Sequence, residues 1–208
     1  MKKKYSSSSK RWLKRNFKDR FVQCARQNNL RSRAWFKLHD IHIKYCLFVR
    51  GMNVIDLGSA PGSWSKYAIK ILGKCGHVIS CDINNMNPIP GVYFFQGNLM
   101  QEKIFNQILN HTITKQISLV MSDMSPNITG ISSIDIPRSL NLSELAMKIA
   151  VATLCKRGTF LVKVFQGLGF GDFLNKLGCF FTTIKICKPN ASRNHSREVF
   201  ILARDFKK

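Results

Sequence analysis

From Met52 onward, short apolar runs alternate with longer segments of mixed polarity. MNVIDL, HVISCD, VYFFQ, ISLVMSD, TFLVKVF, TTIKIC and EVFILA have the length and β-branched or aromatic content of strands. Residues 63–73, 99–111, 138–156 and 170–178 carry apolar positions at helical spacing between them. Such alternation predicts a mostly parallel sheet with helices on both faces. The last two runs are joined only by the polar stretch KPNASRNHSR, so the final pair is predicted to be an antiparallel hairpin. Upstream, residues 10–29 and 33–47 show a looser helical pattern around Trp12, Phe17, Phe21, Trp35, Phe36, Leu38 and Ile41. Two segments are expected: a basic arm and helix over 1–30, and an α/β domain over 31–208.

Charge changes the picture more than composition does. The chain has 208 residues, 45% of them hydrophobic, which suits one domain with a full core. Its formal charge is +22, and residues 1–37 hold thirteen Lys or Arg against one acid, Asp19. So large an excess suits counterion release from a phosphate backbone and points to nucleic acid as the partner. No run approaches the ~18 apolar residues of a membrane span, and the basic N-terminus has no apolar core of a secretory signal. Seven cysteines without a C-x-x-C pair read as small buried hydrophobes in a reducing compartment. The histidines lack ligand spacing, so no metal site is expected.

The candidate chemistry lies after the strands. In NVIDLGSAPGSWSKYAIKI, Gly58, Pro61 and Gly62 separate a strand from a helix, where a backbone can approach a ligand closely. HVISCD ends on Asp82, placed to accept hydrogen bonds from ribose hydroxyls. The loop lacks the third glycine of the dinucleotide fingerprint, and with Asp56 before the turn it favours S-adenosylmethionine over NAD. Asp123 closes the next strand at the edge where open α/β sheets bind ligands. Lys163 stands inside TFLVKVF, apolar on both faces, although lysine is almost never buried without a partner. Burial and a neighbouring cation would lower its pKa from ~10.4 and make it a candidate general base. Glu198, at the start of the last strand, could pair with it.

Together, RSRAWFKL (31–38), VIDLGSAPGSWS (54–65), VMSDMSPNITG (120–130), DIPRSLNLSELA (135–146), FLVKVFQG (160–167) and KPNASRNHSREVFILA (188–203) resemble the FtsJ/RrmJ family of RNA 2′-O-methyltransferases. The likeness runs from about Ser6 to Phe206, which argues against a transit peptide. It implies a Rossmann-like, S-adenosylmethionine-dependent enzyme acting on a uridine ribose of 23S rRNA in the large ribosomal subunit, in the cytoplasm and as a monomer. Its catalytic tetrad falls on Lys37, Asp123, Lys163 and Glu198. The cofactor would be held by Gly62, Trp64, Asp82, Asn98 and Asp123. Where the family has Gln-Gly-Asp, this chain has Gln96-Gly97-Asn98; the Asn oxygen can still accept from the adenine amino group, with weaker binding expected. RNA would be held by Arg11, Lys14, Arg15, Arg31 and Arg33 of the N-terminal region and by Arg193 and Arg197 of the last loop. Methylation of transfer RNA or an mRNA cap, and a non-catalytic ribosome-binding role, are the alternatives.

Overall fold

The computed structural model describes residues 17, 19–193 and 195–207. Arg11, Lys14 and Arg15 lie outside the described residues, as does most of the basic arm.

Seven strands form one sheet in the order β3-β2-β1-β4-β5-β7-β6. They are β1 (Asn53–Leu57), β2 (His77–Asp82), β3 (Val92–Gln96), β4 (Ile117–Ser122), β5 (Leu154–Phe165), β6 (Phe181–Cys187) and β7 (Glu198–Phe206). The first five are parallel, and β7 runs antiparallel to both β5 and β6. The predicted hairpin is present, but β7 wedges between β5 and β6. Among the described residues, six helices accompany the sheet: α1 (Arg20–Gln27), α2 (Ala34–Tyr45), α3 (Ser63–Leu72), α4 (Glu102–Thr112), α5 (Ser132–Thr153) and α6 (Phe170–Phe180).

Alternation along each strand divides the core. Ile55, Leu57, Val120, Phe160, Val162 and Val164 pack under α4, α5 and α6. Val54, Leu119, Met121, Leu161 and Phe200 face α2 and α3, meeting Leu38, Trp64 and Leu72. Lys163 shares the parity of Leu161, so its side chain emerges on the α2/α3 side, where Lys37 arrives from α2.

Two boundaries differ from the sequence pattern. Helix α5 begins at Ser132, six residues before its predicted start, with Pro137 inside it. Buried Asp135 secures that early start by accepting from the Thr129 and Gly130 backbone N–H groups at 2.9 Å. Strand β5 begins at Leu154 rather than Thr159, because Leu154 pairs with Ile117 before a register shift at which Arg157 takes φ 63°. The cysteine reading is also corrected: all seven are free thiols, yet only Cys81 and Cys187 are buried, while Cys46, Cys75 and Cys179 lie on helix ends and turns in solvent.

Candidate active site

The parallel strands end at a crevice of about 260 Å3 lined by Gly58, Ala60, Asp82, Asn98, Asp123 and Met124, among others. Gly58 is held at φ 75°, and a Cβ there would stand 2.8 Å from the Met124 backbone nitrogen, so only glycine lets the β1 and β4 loops meet. Asp82 accepts from the Ala60 N–H at 2.9 Å and the Asn84 N–H at 2.7 Å. Those bonds fix its carboxylate and leave acceptor capacity on both oxygens. Asn98 accepts the Met100 N–H through Oδ1 at 3.0 Å, which aims the amide along the crevice wall.

The other predicted cofactor residues sit behind this wall. Gly62, at φ 96°, is the N-cap of α3 and faces Arg31, Ile89 and Met86. Trp64 is 2% exposed; its indole N–H donates to the Ala34 carbonyl at 2.8 Å, and its ring lies 5.7 Å from that of Phe200. Its side chain therefore ties α3 to α2 rather than lining the crevice. Arg31, expected on RNA, spends its guanidinium on the carbonyls of Pro61, Asn87 and Pro88 at 2.7–3.1 Å. It staples the glycine loop to the segment after β2.

Lys37, Asp123, Lys163 and Glu198 form two ion pairs. Lys163 Nζ donates to the Asp123 carbonyl at 2.7 Å and stands 2.9 Å from Asp123 Oδ1. One ammonium thus meets both the backbone and the side-chain oxygen of Asp123. Lys37 Nζ stands 2.7 Å from Glu198 Oε1, which also accepts from Ser192 Oγ at 2.8 Å. The sequence suggested that Glu198 could pair with Lys163; here it pairs with Lys37, and Asp123 takes Lys163. Burial works against ionisation of the Asp123 carboxyl, but the Lys163 and Lys37 ammoniums outweigh it and hold it below the usual carboxylate range.

Two serines on α5 that sequence reading missed support Lys163. Pairing of β4 with β5 stops at Ser122 and Val162, whereas pairing of β5 with β7 continues to Phe165 and Glu198. Beyond Val162, the polar groups of β5 that face β4 would be orphaned inside the protein. Buried Ser143 Oγ lies 2.9 Å from both the Lys163 and the Ser139 carbonyl and shares its one hydrogen between them, while Ser139 Oγ accepts the Phe165 N–H at 3.2 Å. Hydroxyls four residues apart on one helix face thus stand in for the missing strand. Their i, i+4 spacing was readable, but the end of β4 that makes them necessary was not.

On the far side of the two pairs lies a second cleft of about 470 Å3. Arg33, Lys37, Arg193, His195, Arg197 and Glu198 line it, with Ile128, Ile136 and Phe165 as apolar wall. Ser125 borders both spaces. A crevice rich in acceptors, with Asp123 on its wall, therefore meets at Ser125 a basic cleft with Lys37 and Glu198 on its wall.

The family model for FtsJ-like methyltransferases matches residues 30–206. The chain belongs to that family. Ribosomal RNA large subunit methyltransferase E of Buchnera aphidicola subsp. Acyrthosiphon pisum (strain APS) is 52% identical over 202 residues, 97% of each chain. The protein of the same name from Buchnera aphidicola subsp. Schizaphis graminum (strain Sg) is 49% identical, covering 97% of this chain and 98% of that one. Among solved structures, a ribosomal RNA methyltransferase of Plasmodium falciparum superposes with a TM-score of 0.75 at 25% identity, over 85% of this chain and 98% of that one. This methyltransferase contains no helix among its described residues long and apolar enough to cross a membrane.

Proposed function

We propose that this methyltransferase transfers the methyl group of S-adenosylmethionine to the 2′-hydroxyl of a uridine in 23S rRNA of the large ribosomal subunit, acting as a monomer in the cytoplasm. One observation carries the reading: an acceptor-rich crevice that holds Asp123, the partner of Lys163, meets at Ser125 a basic cleft that holds the Lys37–Glu198 pair. Large-subunit ribosomal RNA is the substrate in the names of the two Buchnera relatives, and the uridine 2′-hydroxyl of 23S rRNA is what the resemblance of the motifs implies.

The crevice suits the cofactor by its donor set. Asp82 has acceptor capacity for ribose hydroxyls, and Asn98 presents an amide oxygen for an adenine amino group. When bound, S-adenosylmethionine supplies an electrophilic methyl on a sulfonium. Gly62 and Trp64 support this site from behind, by shaping the glycine loop and seating α3. The acceptor ribose enters from the basic cleft. Asp123, which lines the crevice and holds the Lys163 amine, orients that amine toward the 2′-OH and helps align its oxygen for attack. As the hydroxyl oxygen takes up the methyl group, its proton would pass to Lys163, whose ammonium must first have released a proton to solvent to leave an amine able to accept it. Lys37 and Glu198 fix the opposite wall and keep its charge balanced. Arg193 and Arg197 with Arg33 hold the RNA backbone, assisted by the basic arm over 1–30.

The test is a ribose-methylation map of ribosomal RNA from cells with and without the protein, paired with labelled methyl transfer in vitro to large-subunit, transfer and capped RNAs. Loss of one 2′-O-methyluridine in 23S rRNA is expected. Unchanged 23S methylation, or transfer only to transfer RNA or caps, refutes the assignment. Failure of Lys163→Ala to reduce transfer refutes the catalytic reading.

A further inference from the structure

Asp19 is the one acid among the first 37 residues, in a stretch that otherwise carries thirteen cations. Its side chain is only 11% exposed, and it does two things. Through Oδ1 it accepts the Phe21 N–H at 3.0 Å as the N-cap of α1. Through Oδ2 it stands 3.3 Å from Arg33 Nε and 3.8 Å from Arg193 Nε. Arg33 comes from the α1–α2 junction, and its Nη2 donates to the Ala191 carbonyl. Arg193 comes from the loop before β7. Both arginines line the basic cleft, while Asp19 is not among the described residues that do. The carboxylate therefore stands behind two like charges that would otherwise repel each other.

We propose that Asp19 is a clip that holds Arg33 and Arg193 side by side as a two-arginine site for a phosphodiester of the acceptor RNA, next to the tetrad. The inference rests on the RNA-methylating reading above and says where the cleft grips the RNA backbone. Three features support it. The arginines belong to segments far apart in sequence and meet only here. The guanidinium of Arg33 is hydrogen-bonded at Nη2 to the Ala191 carbonyl and faces the Asp19 charge at Nε, so little side-chain freedom remains to be given up on binding. The site also adjoins Glu198, whose partner Ser192 lies in the same loop as Ala191 and Arg193. A phosphate seated there would lie one side chain away from the Lys37–Glu198 pair and register the ribose against Asp123. Asp19 is on this view a positioning residue; the arginines touch the phosphate.

The sign of one substitution separates this from simple electrostatics. Asp19→Asn keeps a good N-cap for α1 and removes only the charge. If Asp19 merely repelled RNA, neutralising it would tighten binding. If it aligns the arginines, binding weakens. The experiment measures steady-state methyl transfer and RNA binding by full-length wild type, Asp19→Asn, Arg193→Ala and the double variant at several salt concentrations, with S-adenosylmethionine affinity and Tm as controls. For Asp19→Asn, KM for RNA is expected to rise about tenfold, as when one charge-assisted hydrogen bond is removed. More of the effect falls on KM than on kcat. The slope of log K against log salt becomes shallower by about 0.7 to 0.9, the amount for one phosphate that is no longer neutralised. Arg193→Ala adds little in the Asp19→Asn background, and cofactor affinity is unchanged. An unchanged or lower KM with an unchanged salt slope overturns the clip, as do fully additive effects of the two substitutions. A wild type that binds S-adenosylmethionine but methylates no RNA overturns the functional reading along with the clip.

Discussion

Replacing Lys163 with methionine keeps the length and apolar stem of the side chain and deletes only the ammonium. In the wild type this ammonium is 2.9 Å from Asp123 Oδ1 and donates to the Asp123 carbonyl at 2.7 Å, with its side chain 5% exposed. At an effective dielectric constant of about 20, unit charges at that separation attract by about 6 kcal/mol, most of it offset by desolvation. Removing one member of such a pair typically costs about 3 to 5 kcal/mol, because a buried charge loses its compensation. The cost must depend on pH. In the wild type the Asp123 carboxyl is depressed, so its contribution is present above the ordinary carboxylate range and is lost as pH falls through the depressed value. In Lys163→Met the desolvation that opposes ionisation remains and the largest attraction is gone, so the carboxyl rises and takes up a proton more readily. The destabilisation is therefore largest at neutral pH and above, and shrinks as pH falls toward the ordinary carboxylate range. Urea denaturation of both proteins from neutral pH down into that range measures it. A difference that stays constant with pH, or remains under about 1 kcal/mol throughout, would falsify the description of a charge-compensated buried carboxylate.

Three further outcomes are expected. Asp56, fully buried on β1, is pushed up to about 7, first by burial and then by the fields of Asp123 and Asp82 against the Ser65 hydrogen bond. It weakens the fold progressively as pH rises from about 4 through 7, so Asp56→Asn should gain stability at pH 8 relative to pH 4, with a ceiling of about 4 kcal/mol; a gain independent of pH would argue otherwise. Asn98→Asp should tighten S-adenosylmethionine about fivefold in calorimetry, since an ionised acceptor makes a stronger hydrogen bond than an amide, and equal affinities would remove Asn98 from the adenine. Ser143→Ala leaves the Lys163 carbonyl without its hydroxyl and should cost about 1 to 3 kcal/mol in denaturant, with activity falling alongside stability; an unaffected protein would mean that the β5 edge needs no substitute partner.

The sheet and most of its helices were readable because strand and helix periods are local properties, and HVISCD or VYFFQ can hardly be anything else. The place of β7 was not readable. Nothing in EVFILA says whether it pairs beside β6 alone or inserts against β5, a choice made by cross-strand packing of residues such as Phe200 and Ile201. The site shows the same division. Lys163 was conspicuous as one ammonium in an apolar strand, and Asp82 and Asp123 as acids at strand ends. Which carboxylate took which lysine was decided by the approach of α2, which sequence spacing does not encode. Arg31 looked like any other surface arginine until three backbone carbonyls were found around it.

Because β7 runs against its neighbours, its first residue, Glu198, arrives at the end of the sheet where the parallel strands finish. The loop before it therefore overhangs the reaction from a side unreachable by any β–α connection of the nucleotide-binding half. On the proposed reading, the methyl acceptor meets this loop and the start of α2 while the donor meets the loops after the parallel strands, and the two sides share Ser125 and helix α5. If this loop grips RNA as proposed, lengthening or recharging residues 188–197 changes the surface offered to the acceptor without touching the glycine loop, which makes that one reversed strand the seam along which such an enzyme can diversify.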